Sequence, residues 1–214
     1  MRIIIAGGHG KIAMRLTERL KSGAVGLVRN PAHVADVEAT GAQAVVCDLE
    51  KASVEEVAEI LRGADAVVFA AGAGPGSGAA RKDTVDRAAS VLLADAAELA
   101  GVRRFIQVSS MGAGKPPVPG RDEVWAAYIK AKTEAEEDLR RRDGLAWTIL
   151  RPGRLTDEPG TGLVRLAPDV PPGSVPRDDV AAVIMALLEN PGTAHQTLEL
   201  VSGETPIIDF VATE

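Results

Sequence analysis

Short unbroken apolar runs, separated by longer stretches with helical periodicity, organise this chain. Ile3-Ile4-Ile5-Ala6 is apolar at every position, the signature of a strand buried on both faces. It breaks into glycines, after which Ile12, Leu16 and Leu20 recur at helical spacing, predicting a helix over residues 11–21. Residues 24–28 read as a second strand ending at Arg29-Asn30-Pro31, and Pro31 suits the first turn of a short helix to residue 39, closed by Gly41. Residues 44–47 are a third strand, ending at Asp48. Ser53-Val54-Glu55-Glu56 is a capping box, and Val57, Ile60 and Leu61 give its helix a buried face. Residues 66–70 predict a fourth strand, and residues 72–78, with four glycines and a proline, a loop. Asp83 or Thr84 is expected to cap a long helix to residue 100, with Val91, Leu92, Ala96 and Leu99 as its core stripe and Gly101 as its stop. A fifth strand (105–108), a proline-bearing loop (113–121), a helix (123–142) and a sixth strand (146–150) follow. The remainder predicts a short strand at 163–166, a helix over 177–189 and a strand at 197–201.

Strands that alternate with helices at crossover intervals imply a parallel sheet with helices on both faces. No composition break divides the chain, so residues 1–214 read as one α/β domain, a Rossmann-like doubly wound parallel sheet. Residues 153–214 are expected to complete the sheet and form a small substrate-side region. Aromatic residues make up only 3%, so the core must be built from Ala, Val, Leu and Ile. A net charge of −6 argues against nucleic-acid binding, which needs a basic surface. The single cysteine, Cys47, excludes an internal disulfide and reads as a small buried strand residue rather than a reactive thiol. No basic-then-apolar leader opens the sequence and no run approaches eighteen apolar residues, so a cytoplasmic location without membrane association is expected. His33 and His195 have no ligand-spaced neighbours, which predicts no metal site. Oligomeric state is left open.

The opening strand, turn and helix carry the first chemistry. Backbone N–H groups at a helix N-terminus have no intrahelical acceptor and suit a phosphate or pyrophosphate. The spacing is Gly7-x-x-Gly10-x-x-Ala13 rather than G-x-G-x-x-G. Gly7 would make the tight turn, Gly10 admit the phosphate to the backbone, and Ala13 pack the helix on the strand. The end of the second strand lies beside the adenosine ribose in such folds; an acid there favours NAD, whereas Arg29 matches a 2′-phosphate and favours NADP(H) over NAD(H). Asp48 would cap the next helix, accept from the adenine amino group, or do both.

Two further features fall where catalysis would be staged. Ser109-Ser110 follows the fifth strand at the carboxyl edge of the sheet. Tyr128 and Lys132, four apart on the next helix, share a face. A phenol titrates near 10, too high for neutral acid–base work, and a neighbouring ammonium lowers it. A serine hydroxyl would hold the substrate oxygen beside the tyrosine, and Lys132 could also bond the nicotinamide ribose. Tyr128 is the only tyrosine. Trp125, one turn earlier, either walls a substrate pocket or packs the helix. The run Arg140-Arg141-Arg142 and the group Glu134, Glu136, Glu137, Asp138 read as solvated faces.

Taken in order, Gly7-Gly8-His9-Gly10, Leu27-Val28-Arg29-Asn30-Pro31, Cys47-Asp48-Leu49, Gly101-Val102-Arg103-Arg104-Phe105, Val108-Ser109-Ser110, Tyr128-x-x-x-Lys132, Thr148-Ile149-Leu150-Arg151-Pro152-Gly153 and Asp179-Val180-Ala181 resemble the short-chain dehydrogenase/reductase superfamily. More narrowly, nearly the whole chain is similar to its compact atypical branch, the NAD(P)-binding, NAD-dependent epimerase/dehydratase-like proteins. The resemblance implies that Gly7, Gly8, Gly10, Lys11 and Ile12 line the pyrophosphate, with His9 as packing or a phosphate-side contact. It places Arg29 on the 2′-phosphate, Asp48 and Leu49 on the adenine, Ala70, Ala71 and Gly72 on the ribose, and Pro152 and Gly153 beside the nicotinamide. It favours Ser110 over Ser109 as the acting serine, with Ser109 still near the cofactor. The chain departs from the superfamily in three ways. It has no asparagine on the helix before the serine strand, residues 13–29 are about three shorter than usual, and only about sixty residues follow Gly153, too few for a sugar-nucleotide domain.

The reading that follows is an NADPH-dependent oxidoreductase acting on a small carbonyl or similar acceptor through Ser110, Tyr128 and Lys132. The alternatives are a non-catalytic NADP-binding redox sensor and an NADPH-dependent flavin or quinone reductase.

Overall fold

A computed structural model describes residues 1–74, 76–116 and 122–211. β1 (Ile3–Ala6) is buried at all four positions, as its composition demands. Side chains alternate across a strand, so Ile3 and Ile5 enter one core and Ile4 and Ala6 the other. α1 (Lys11–Leu20) follows, then β2 (Ala24–Val28), α2 (Val34–Ala39), β3 (Gln43–Val46), α3 (Val54–Leu61) and β4 (Ala66–Phe69). After a glycine-rich stretch, α4 (Ala79–Arg81) runs through a π-helical segment, Lys82–Ala88, into α5 (Ala89–Ala100). β5 (Arg104–Val108), α6 (Glu123–Arg140) and β6 (Ala146–Pro152) complete the larger part. The rest holds β7 (Arg154–Thr156), β8 (Leu163–Ala167), β9 (Ser174–Pro176), α7 (Arg177–Glu189), β10 (Gln196–Ser202) and β11 (Thr205–Pro206).

The strands form a nine-stranded sheet in the order β11-β8-β10-β6-β5-β4-β1-β2-β3. β1 to β6 and β10 are parallel to their parallel neighbours, which is the doubly wound Rossmann-like arrangement. Apolar residues of α1 and α7 fill one face, and those of α3, α5 and α6 the other. The strand order reverses between β1 and β4, and that is where a ligand crevice opens beyond the strand ends.

Three expectations are corrected. The sheet is not wholly parallel, because β8 pairs antiparallel with both β10 and β11. β7 and β9 form a separate two-stranded sheet, too short to leave a periodic signal. The long helix does not begin at Asp83 or Thr84: the Asp83 carboxylate takes two bonds from Arg87 one turn on, and the Thr84 hydroxyl bonds Glu50, so neither marks a helix start. The helix begins instead after Gly78. The short connection before β2 is a genuine tight turn, a 3₁₀ segment over Lys21–Gly23 entered through Lys21 at φ +49°. Residues 75 and 117–121, parts of the two expected loops, lie outside the described residues. Among the described residues no helix is long and apolar enough to cross a membrane, and no cluster of His, Cys, Asp or Glu could hold a metal.

Candidate functional site

The Gly7–Gly10 turn is built by contact with two strands. A Cβ on Gly7, which sits at φ +79°, would lie 2.6 Å from the Ala71 Cα, and one on Gly8 would lie 2.8 Å from the Gly26 Cα in β2. Gly10 is different: an added Cβ would meet only the Gly7 carbonyl oxygen at 3.0 Å and the Ala70 oxygen at 3.8 Å. Its side faces the crevice. Gly10 is the N-cap of α1 and offers no side-chain cap, and no acidic residue occupies the first turn. The first N–H groups of α1 are therefore left to a ligand. Ala13 is fully buried beneath them, and Ile12 reaches the cavity beyond. Lys11 turns its side chain away, placing Nζ 2.6 Å from Asp157 Oδ2, so only its backbone is aimed at the turn. His9 stacks on His33 with ring centroids 3.8 Å apart and has Nε2 2.8 Å from Asp36 Oδ2.

From this turn a cavity of about 340 Å³ extends over the ends of β2 and β3, lined by Leu27 to Asn30 and by Cys47 to Glu50. Arg29 lies there, as expected, but it is not alone. Glu50 Oε2 accepts from both Arg29 and Arg81 at 2.9 Å, and Oε1 accepts from the Thr84 hydroxyl at 2.7 Å. The Thr84 bond, joined by those of Arg81 and Arg29, holds the Glu50 carboxyl below the usual range. Glu50 and Arg81 carry no motif in the sequence and meet only through the fold. Asp48 lines the cavity but does not cap α3, because Ser53 forms that cap reciprocally with Glu56; Asp48 Oδ1 accepts from the Glu50 N–H at 3.2 Å instead. Cys47 follows β3 and is buried, which, with Asp48 and Glu56 nearby, raises its thiol pKa.

A second cavity, about 860 Å³, opens on the other side of Gly10. Ala70, Ala71, Gly72, Ser109, Ser110, Tyr128, Lys132, Pro152 and Gly153 all line it, so the residues assigned to the reactive end converge. The two serines differ. Ser109 is buried and donates to Glu136 Oε1 at 2.5 Å, whereas among the described residues the Ser110 hydroxyl has only a 3.3 Å contact with the Met111 oxygen. Ser110 is the less engaged of the two hydroxyls. Tyr128 packs at a tilt on Trp125, centroids 5.5 Å apart, and Trp125 walls the cavity. Two ammonium groups flank the phenol ring: Lys82 Nζ at 5.3 Å and Lys132 Nζ at 5.9 Å from its centroid.

Lys132 is held from behind. It is 3% exposed, donates to the Val108 oxygen at 3.2 Å, and lies 3.2 Å from Asp86 Oδ1, outside hydrogen-bonding alignment. Asp86 is fully buried and accepts from the Ala73 N–H through Oδ2. It projects from the π-helical segment, a backbone irregularity that re-aims side chains and is frequent at functional sites. Residue pattern could not have found it.

Two assignments to solvent fail here. Glu136 is fully buried, receives two bonds from Arg151 and one from Arg140, and orients Ser109. Arg142 bonds Asp95 and Glu98 of α5 and Asp138 of α6, tying the two helices together. The isolated helix shows a charged stripe in both cases, and only the neighbouring elements supply the partners.

A strand-edge crevice with a glycine cradle, an uncapped helix N-terminus and a serine–tyrosine–lysine cluster defines a dinucleotide-binding protein of the short-chain dehydrogenase/reductase kind. The NAD(P)H-binding family model matches residues 7–191, and the chain belongs to that family, in its compact epimerase/dehydratase-like branch. It is 36% identical over 98% of its length, and 98% of the relative's, to the uncharacterized sugar epimerase YhfK of Bacillus subtilis (strain 168). Among solved structures it is similar to a Bacillus halodurans protein assigned to the NAD-dependent epimerase/dehydratases, with a TM-score of 0.89 at 36% identity, covering 99% of this chain and 98% of that one. The oxidoreductase YlbE from Lactococcus lactis is also similar, with a TM-score of 0.86 at 29% identity over 98% and 94% of the two chains.

Proposed function

We propose that this protein is an NADPH-dependent oxidoreductase that reduces a small carbonyl compound. The observation that carries this is the convergence of Ser110, Tyr128 and Lys132 on one cavity that also reaches Gly10, Ile12, Pro152 and Gly153. The glycine cradle and the α1 N–H groups fit a pyrophosphate, and a bound dihydronicotinamide would supply the hydride that a carbonyl reduction needs. Ser110 Oγ holds the carbonyl oxygen by donating to it, and Tyr128 gives that oxygen its proton, so the product is an alcohol. The phenolate left behind regains a proton from solvent. Lys132, kept in place by Asp86 and the Val108 carbonyl, stabilises that phenolate electrostatically. Trp125 walls the cavity and excludes water from one side.

The preference for NADPH is supported by Arg29 and Arg81, which share one oxygen of Glu50, while the cavity's other carboxylate, Asp48, is paired with Lys51. A 2′-phosphate would share or displace the Glu50 carboxylate.

Tyr128→Phe tests the assignment. NADPH-dependent turnover of an aldehyde panel should fall about 100-fold while NADPH affinity changes less than about two-fold. Unchanged turnover removes Tyr128 from the chemistry and favours a flavin or quinone reductase. Tight NADPH binding by the wild type without turnover of any carbonyl favours a redox sensor.

A further inference from the structure

The charged groups that line the larger cavity are Lys82, Lys132, Arg154 and Arg177 against Asp86 and Asp122, in a protein whose net charge is −6. Three of the six are paired with an opposite charge: Lys132 faces Asp86, and Arg177 donates to Asp157 at 2.8 Å. Asp122 is engaged at the α6 N-terminus, where it accepts from the Trp125 N–H at 2.7 Å. Lys82 has neither kind of partner. It is only 8% exposed, and its one hydrogen bond among the described residues is to the Gly74 carbonyl oxygen at 2.9 Å, a neutral acceptor that uses one of three ammonium protons. Among the described residues no carboxylate pairs with it. Arg154, exposed on β7, likewise has no carboxylate partner among the described residues. A nearly buried ammonium without a counter-ion is costly to keep, and low-dielectric walls focus its field into the space it faces.

The cofactor does not account for this charge. Its phosphates belong at the Gly7–Ala13 turn and beside Arg29, whereas Lys82 sits over the ring of Tyr128, at the reactive end. A nicotinamide there is neutral when reduced and cationic when oxidised, so neither form calls for an ammonium. We infer that the acceptor reduced in this cavity carries an anionic group, a carboxylate or a phosphate, and that Lys82 binds it while Tyr128 and Ser110 engage the carbonyl. This deepens the reductase reading and rests on it.

The test uses two aldehydes of matched shape, 4-carboxybenzaldehyde and methyl 4-formylbenzoate, with the full-length protein and NADPH. The wild type should favour the acid, and Lys82→Met should lower kcat/KM for the acid about 10-fold more than for the ester, with Lys82→Arg restoring most of the difference. Calorimetric binding of terephthalate, a dicarboxylate that cannot be reduced, to the NADP⁺-loaded protein should weaken about 10-fold in Lys82→Met. If neither aldehyde turns over but terephthalate binds through Lys82, the reductase reading fails and the anion site stands. Equal use of acid and ester by the wild type overturns the inference, as does terephthalate affinity that is absent or insensitive to Lys82→Met. A loss of NADPH affinity in Lys82→Met as large as the loss for the acid also overturns it, by making Lys82 a cofactor residue.

Discussion

One carboxylate, Glu50, sets how two guanidinium groups are presented in the cavity over the ends of β2 and β3. It binds Arg29 and Arg81 through the same oxygen, so either can swing to a phosphate only by giving up part of that pairing. Arg29→Ala should therefore weaken NADPH by about 10-fold and NADH by less than about two-fold, the difference being the charge-assisted bonds to the 2′-phosphate. Glu50→Gln should move the ratio the other way, strengthening NADPH relative to NADH, because an amide competes less for the guanidiniums. Fluorescence titration of both reduced cofactors measures the ratio directly, and equal losses in Arg29→Ala would remove Arg29 from the 2′-phosphate. At this scale Arg29, Ser110, Tyr128 and Lys132 were legible, because each sits at a fixed offset from a strand end or on one helix turn. Glu50, Arg81, Asp86 and Glu136 were not, since each becomes significant only through a partner at least fifteen residues away in sequence.

At the scale of elements, the first strand, turn and helix separate two uses of glycine. Gly8 is pressed against Gly26, backbone against backbone, with no side chain to yield. Gly8→Ala should cost about 1–3 kcal/mol of folding stability, read from urea melts, through forced backbone displacement. Gly10→Ala needs only a small shift of the Gly7 carbonyl, so its melt should stay close to wild type, while NADPH affinity falls at least about 10-fold because the methyl occupies the phosphate approach. If Gly10→Ala binds NADPH normally, the pyrophosphate does not sit on this turn. The helix after β4 shows the limit of pattern reading. Its buried stripe is Leu93, Ala94, Ala96 and Ala97 rather than the expected Val91, Leu92, Ala96 and Leu99, of which Leu99 is exposed, and the π-helical segment that swings Asp86 toward Lys132 leaves no mark in the hydrophobic period.

Over the whole molecule, a half-buried cation, Arg104, joins the last third of the chain to the sheet. The Arg104 guanidinium donates to the Ala146 and Leu187 carbonyls and to the hydroxyls of Thr148 and Thr193, linking β5, β6, the end of α7 and the turn after it. No carboxylate is among these partners, and burial pushes its pKa down to about 10, so it remains charged at neutral pH. Arg104→Met removes these four donated bonds together and should lower global stability by about 3 kcal/mol, with an unchanged urea m-value if folding stays two-state. A local effect confined to the turn at Pro191–Thr193, seen as faster amide exchange there without a shifted melt, would show that the linkage does not carry global stability.

The sequence by itself determined the layered α/β architecture, because unbroken apolar strands need cover on both faces and the helices between them carry one apolar stripe each. It also determined the glycine turn before α1 and the serine, tyrosine and lysine positions, which depend on local spacing. Tertiary structure alone decided the antiparallel placement of β8, the loss of Ser109 to Glu136, and the pairing of Lys132 with Asp86. It also left Lys82 facing the cavity without a counter-ion among the described residues. The physical reason is the same in each case. Hydrophobic periodicity records which side of an element is buried, whereas the partner of a buried charge is fixed by where distant segments cross, and no local pattern encodes that distance.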